Sequence, residues 1–382
     1  MAITNLYVDP SIAGNSGAGT VGDPYGDLEW CLSQATFDTS NGTQINIKAG
    51  TAEVISATLD LTTNFTAGGG PSPTSALVFR GYSASADDGD FDARTGIGSI
   101  DCNNKTVLSS TTQDDIILIH LEIFNRAGGG YATMIHLDNY IAFIECELHS
   151  HSGTAEMVRA DFGLNFWRCH FHSMLSTEIC IYMRSQGGHC CYCYFDLIGT
   201  TATDALVLGH SGNTARNNII RVSSSTNGIR SNQSSIAIDH NSIWSNGGTG
   251  SGIKLITGSD VFPHIFNNVI EGFSGSGGTG INVTSTGYLG LYGYNCVYNC
   301  DTNYSVSKTV LFDMANNEDL RGSSPFTDAA NENFTLTNVG EVRQGAWPQS
   351  LASSSALTAP NRRCKGALER SKLVPLPTGH RT

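Results

Sequence analysis

The chain has 382 residues, enough for one large domain or two ordinary ones, and a hydrophobic fraction of 40% that excludes global disorder. A net charge of −13 excludes a nucleic-acid binder working through a basic face, and no apolar run reaches the roughly 18 residues of a membrane-crossing helix. With 43 glycines and only 14% charged residues, the composition suits short strands joined by tight polar turns rather than helices.

In chain order, the opening MAITNLYVDP has neither a basic n-region nor an apolar h-region, so a standard secretion signal is not expected. Further on, the loop ADDGDFDAR carries Asp87, Asp88, Asp90 and Asp92. Oxygen-rich loops bind calcium, but this spacing lacks the alternating ligands and closing Glu of an EF-hand, and a solvated insertion loop is the reading adopted.

An internal repeat dominates the middle of the chain. The segments FIECELHS, FWRCHFHS, CYCYFDLI, ARNNIIRV, IDHNSIWS, IFNNVIEG and GYNCVYNC superpose on a shared Cys/Asn slot: Cys146, Cys169, Cys193, Asn218, Asn241, Asn268 and Cys296. Leu121 in LIHLEIFN occupies the same slot one coil earlier. Two residues later runs an apolar column of Ile123, Leu148, Phe171, Phe195, Ile220, Ile243, Ile270 and Tyr298. Side chains alternate across a strand, so slot and column share a face, assigned to the interior. Like residues at one coil position then stack about 4.8 Å apart along the axis.

A second strand precedes the slot, marked by Ile135, Val158, Leu206, Ile229, Ile253 and Ile281; several follow a glycine, read as permitting a sharp corner. A period of this length means a solenoid. The fold class is all-β, a right-handed parallel β-helix of about eight readable coils. Eleven cysteines, several at repeat-equivalent positions, fit reduced buried thiols in a cytosol-made protein better than a disulfide framework.

Beyond Leu351 the character changes. Arg362, Arg363, Lys365, Arg370, Lys372 and Arg381 oppose Glu369 alone, a local +5 that leaves −18 on the rest of the chain. An acidic body with a basic, Pro- and Ser-containing tail reads as an anchoring arm.

The stretch LYVDPSIAGNSGAGTVGDPYGDLEWCLSQA resembles the opening of pectate-lyase-like β-helix proteins, and DLRGSSPFTDAANENFTLT resembles their closing coils. The resemblance spans roughly residues 4–348. It implies a capping helix at about Asp27–Ala35, which would cover otherwise open strand edges. The expected organisation is an N-terminal strand, loop and capping helix over 1–60, coils over 61–310, closing coils over 311–349 and the basic arm over 350–382. On activity the resemblance is nearly silent, since this scaffold hosts lyases, hydrolases, epimerases and non-catalytic virion spikes.

Residues one before, one after and three after the slot are expected to point outwards, where a solenoid's groove would lie. Successive coils then present His120, Glu122 and Phe124; Glu145, Glu147 and His149; Arg168, His170 and His172; Tyr192, Tyr194 and Asp196; Asn217, Ile219 and Arg221; His240, Ser242 and Trp244. A glycan enzyme would use Glu145, Glu147 and Asp196 as acids and Arg168 as charge stabiliser. Its ligand-binding side chains would be His149, His170, His172, Tyr192, Tyr194 and Trp244. The plainer alternative, favoured here, is a solvated sheet exterior. Glu147 with His149, His170 and His172 has the ligand types for zinc or nickel, and HCCYC at His189–Cys193 looks metal-rich. Alternation, however, sends Cys191 and Cys193 inwards with Cys190 and Tyr192 outwards. No metal or cofactor is expected.

Three functions are weighed: a virion structural protein, a polysaccharide lyase or glycoside hydrolase, and a secreted adhesin. The first is preferred, as a capsid-decorating or tailspike-like phage component assembled in the host cytoplasm. The expected partners are two further copies in a trimer (by analogy with spike β-helices), capsid or tail proteins through residues 350–382, and a possible surface polysaccharide. The second is the alternative.

Overall fold

A computed structural model describes residues 3–336, apart from residue 15 and residues 35–37, 39–40, 62–75, 111–115, 126–134, 138–139, 150–156, 161–162, 173–178, 224, 257–262, 285–288, 308–309, 314–317 and 321–323. The basic arm assigned to 350–382 lies outside the described residues.

The chain is a parallel β-solenoid. One face is a twelve-stranded sheet running from Thr4–Val8 to Val310–Asp313, and a second is an eleven-stranded sheet from Glu53–Val54 to Glu318–Leu320. A third face consists of a four-stranded group, Leu59–Asp60 to Val158–Ala160, and a six-stranded group, Ile179–Met183 to Thr302–Val306. Strands within each sheet pair in parallel with their counterparts one coil away. Each coil thus carries three strands, one more than the two read from the sequence. The stack also reaches beyond the eight coils that carry the slot, because Thr43–Lys48 and Leu77–Tyr82 pair in register without it.

The corner between the two large sheets explains the slot. At each turn one non-glycine residue adopts the left-handed conformation: His120, Glu145, Arg168, Tyr192, Asn217, His240, Asn267 and Tyr294, with φ of 53–58°. Such a conformation costs an L-residue about 1–2 kcal/mol, so it persists only where neighbouring bonds over-determine it. From Asn217 onwards the residue immediately after it supplies those bonds. Asn218, Asn241, Asn268 and Asn295 are fully buried and form a ladder, each Nδ2 donating to the next Oδ1 at 2.9–3.0 Å. Each Nδ2 also donates to a backbone carbonyl one coil back, those of Cys190, Ala215, Ile238 and Ile265.

The last coil therefore corrects the register: Asn295, not Cys296, fills the slot, and Val297, not Tyr298, pairs with Ile270 in the apolar column. Both residue types of the slot stand side by side in YNC, and only the left-handed residue, Tyr294, decides between them. The same corner corrects HCCYC. Cys190 is fully buried, in register with Phe166 and Ala215, while Cys191 lies on the opposite face beside Trp167 and Arg216. A left-handed residue between two strands resets alternation, so parity counted back across Tyr192 comes out inverted.

Cys146, Cys169 and Cys193 are stacked inside as free thiols, as the repeat predicts. Burial pushes the Cys146 and Cys193 thiols well above the usual range. The second-strand residues hold their expected register, Leu206 on Ile229 on Ile253 on Ile281. Their preceding glycines serve a different purpose from the corner expected of them. Gly228, Gly252 and Gly280 have ordinary φ, but a Cβ there would come within 2.7, 2.4 and 2.3 Å of Ile243, Ile270 and Val297. The third face packs so closely on the apolar column that nothing larger fits.

A helix, Leu28–Gln34, buries Leu28, Cys31 and Leu32 against the first coils. Its first amides are held by the Asp27 carboxylate, from Trp30, and by Glu53 Oε1, which accepts from Leu28 at 3.0 Å. Near the other end, Phe326–Asp328 and Asn333–Leu336 form an antiparallel pair joined by a 3₁₀ turn, Ala329–Asn331. This hairpin lies on the outer face of the eleven-stranded sheet, where Phe326, Ala329 and Phe334 pack on Tyr194, Val269 and Cys296. Among the described residues, no helix is long and apolar enough to cross a membrane.

Candidate functional site

Register on the eleven-stranded sheet sets two outward columns. Ser99, Glu122, Glu147, His170, Tyr194, Ile219 and Ser242 form one. Phe124, His149, His172, Asp196, Arg221 and Trp244 form the other. The left-handed residues form a third line along the corner.

The predicted residues fall into three groups rather than one constellation. At the corner, Glu145 accepts from Arg168 and lies 2.6 Å from His120 Nε2. Arg168 also meets Asp92 of the acidic loop at 2.5 Å. The His120 bond holds the Glu145 carboxyl below the usual carboxylate range, helped by Arg168 and opposed by burial.

In the middle of the sheet, Glu147 is bonded to His172 Nε2 at 2.6 Å and to the Arg94 guanidinium. Burial would raise its carboxyl, but these two partners outweigh it and bring it down to about 2. Glu122 accepts from Ser99 Oγ at 2.6 Å and contacts His149 Nε2 at 2.9 Å, and the His149 bond keeps its carboxyl low as well. Phe124, His149 and His172 stack at 5.2 and 4.6 Å, and His170 stacks on Tyr194 at 5.0 Å. Ligand atoms of Glu147, His170 and His172 lie within 4.8 Å of one another, as do those of Glu122, Glu147 and His149.

The third group belongs to Arg221, which bonds the Tyr194 hydroxyl at 3.2 Å, Asp196 at 3.1 Å, Glu332 at 3.0 Å and the Ala330 carbonyl at 2.7 Å. Its guanidinium lies over the Trp244 ring, 5.8 Å from the centroid. Tyr194 and Trp244 are therefore packed beneath the hairpin and do not form an open sugar platform. Tyr192 does remain 39% exposed, tilted against Trp167 at 4.8 Å. Burial raises the Asp196 carboxyl, with Arg221 opposing it.

Arg94 and Asp92 are the partners sequence reasoning missed. Both sit in the loop read as solvated, and the basic end of ADDGDFDAR was the available signal. Asp88 of that loop is engaged by its own Ser83, Ala84 and Ser85 amides. Glu271 was also missed: burial lifts its carboxyl to about 7, against a 2.7 Å bond from Ser324. Away from the patch the same coil-to-coil pairing recurs, with Asp239 held between Arg216 at 2.7 Å and His240 at 2.9 Å.

Chemically, glycoside hydrolysis needs one carboxylic acid kept protonated and a second, free carboxylate. Glu122, Glu145 and Glu147 are ionised and bridged to cations or imidazoles, which suits neither role. Comparison with protein-family models, with curated proteins and with solved structures gives no significant match.

Proposed function

We propose that the chain is a structural β-solenoid carried on a phage particle, a capsid-decorating or tailspike-like component. Its polar face holds coils together rather than turning over a substrate. The observation that carries this reading is the state of the outward acids. Glu122, Glu145 and Glu147 are each joined to a partner in another coil or in the 83–95 loop, and each is held below the usual carboxylate range.

The setting on a particle draws support from the thiols, the tail and the resemblance to pectate-lyase-like spikes. Ten described cysteines are free and nine of them buried, which suits folding in a reducing cytoplasm. A tail of +5 against a body of −18 suits an anchor for capsid or tail proteins. Exposed ion pairs contribute only about 0–1 kcal/mol each, so burial of Leu373–Leu376 would have to add to them. Trimerisation is proposed by analogy with spike β-helices.

Purified protein should leave a broad panel of acidic and capsular polysaccharides uncut. Deleting residues 351–382 should leave a folded solenoid and abolish incorporation into particles. Normal incorporation of the truncated chain at physiological salt would refute the anchoring reading. Glycan cleavage that is abolished by Glu147→Gln would replace the structural reading with the alternative, a polysaccharide lyase or hydrolase. Asp196 is the observation that favours that alternative, being the outward candidate acid whose carboxyl is raised.

A further inference from the structure

Glu147 and His170 stand opposite each other on adjacent parallel strands, and His172 lies two residues beyond His170 on the same face. All three side chains rise from paired strands, Glu147–His149 and His170–His172, so their Cα positions are fixed by backbone bonds. Glu147 is only 6% exposed, and one of its oxygens already faces His172 at 2.6 Å. The His170 and His172 rings lie 4.5 Å apart between centroids, inclined at 33°.

We propose that Glu147, His170 and His172 bind a transition-metal ion of the zinc, cobalt or nickel class, clamping two consecutive coils. Two imidazoles and one carboxylate are the donor set these ions favour, with a fourth position left to water. Calcium and magnesium want oxygen ligands and would be discriminated against. Tetrahedral zinc with bonds of about 2.0–2.1 Å sets its ligand atoms about 3.4 Å apart. The present atoms lie within 4.8 Å of one another, so small side-chain rotations complete the site. The ion would take the place of the hydrogen between His172 and Glu147, and Arg94, whose side chain is 53% exposed, can swing clear.

The neighbouring trio Glu122, Glu147 and His149 is the weaker candidate. It offers one imidazole, and Glu122 is already bonded to Ser99 and His149. The metal proposal does not depend on the chain belonging to a virion, since it concerns only the solenoid's own side chains.

The test is calorimetric titration of the metal-free full-length chain with zinc, and separately with calcium and magnesium. Zinc should bind once per chain, at about micromolar affinity or tighter, and raise the melting temperature; calcium and magnesium should not saturate. His170→Ala, His172→Ala and Glu147→Gln should each weaken zinc binding by at least about tenfold. His264→Ala, at an exposed strand residue of the other large sheet, should leave it within about threefold. Because a variant can fail to fold, copper(II) paramagnetic resonance of the unmodified chain gives a second reading, with hyperfine coupling from two imidazole nitrogens expected. Absence of saturable zinc binding, retention of affinity in both His170→Ala and His172→Ala, or a copper spectrum without nitrogen coupling would each overturn the assignment.

Discussion

Asn241 commits its side chain wholly to its neighbours. Its Nδ2 donates to Asn268 and to the Ala215 carbonyl, and its Oδ1 accepts from the Asn218 amide and side chain. Asn241→Ala would orphan buried groups on both sides, and each costs about 1–3 kcal/mol; urea denaturation should record a loss of at least about 2 kcal/mol. Gly252→Ala should cost about 1–3 kcal/mol by overpacking against Ile270. Two buried carboxyls make stability depend on pH. Burial lifts Glu53 and Glu271 from the ordinary 4.5 to about 7, partly offset by the Leu28 amide and the Ser324 hydroxyl respectively. The folded chain keeps protons that the unfolded chain releases above about pH 4.5, so stability falls as pH rises from about 4.5 to 7. Denaturant midpoints should be higher at pH 5 than at pH 8, and Glu53→Gln should remove about 2–3 kcal/mol of that difference. Below pH 4.5 the sign reverses, because Glu147 must be protonated against its partners.

At the scale of elements, the C-terminal hairpin decides what the eleven-stranded sheet can present. Phe326 and Phe334 meet edge to face at 5.1 Å and seal Cys296, which is fully buried. Phe334→Ala should loosen this cover while leaving the coils paired, and Cys296 should then react with a thiol reagent much faster than in the parent chain. Unchanged reactivity would show that the hairpin is not what shields it. This cover was not legible in the sequence. FTDAANENFTL has the strand–turn–strand look of another coil, and its partners Tyr194 and Val269 lie far back in the chain. Slot and column were legible because a stack repeats one residue type at one position, from Cys146 to Asn268. The strand before each corner was not, because a left-handed residue such as Tyr192 breaks the alternation used to read it. In the candidate site, the outward direction of Glu147, His170 and His172 followed from alternation, whereas Arg94 arrives from a loop 53 residues away that carries no repeat.

For the whole molecule, a solenoid gains stability from contacts between neighbouring coils, and each coil must hold the next. Inside, the Asn ladder and the apolar column do this. Outside, the pairs Glu122–His149, Glu147–His172 and Arg216–Asp239 link successive coils across the surface. On this reading the outward acids serve that linkage. Its most direct test is the unfolding free energy of Glu147→Gln against the parent chain, measured with a chelator present and alongside the polysaccharide panel. A loss of about 1–3 kcal/mol is expected, since Glu147 is itself buried and the substitution removes the carboxylate that both His172 and Arg94 bond, and no cleavage by either protein. A variant as stable as the parent or more so, together with loss of a measurable glycan-cleaving activity, would contradict it, because catalytic groups are commonly kept at a cost to stability.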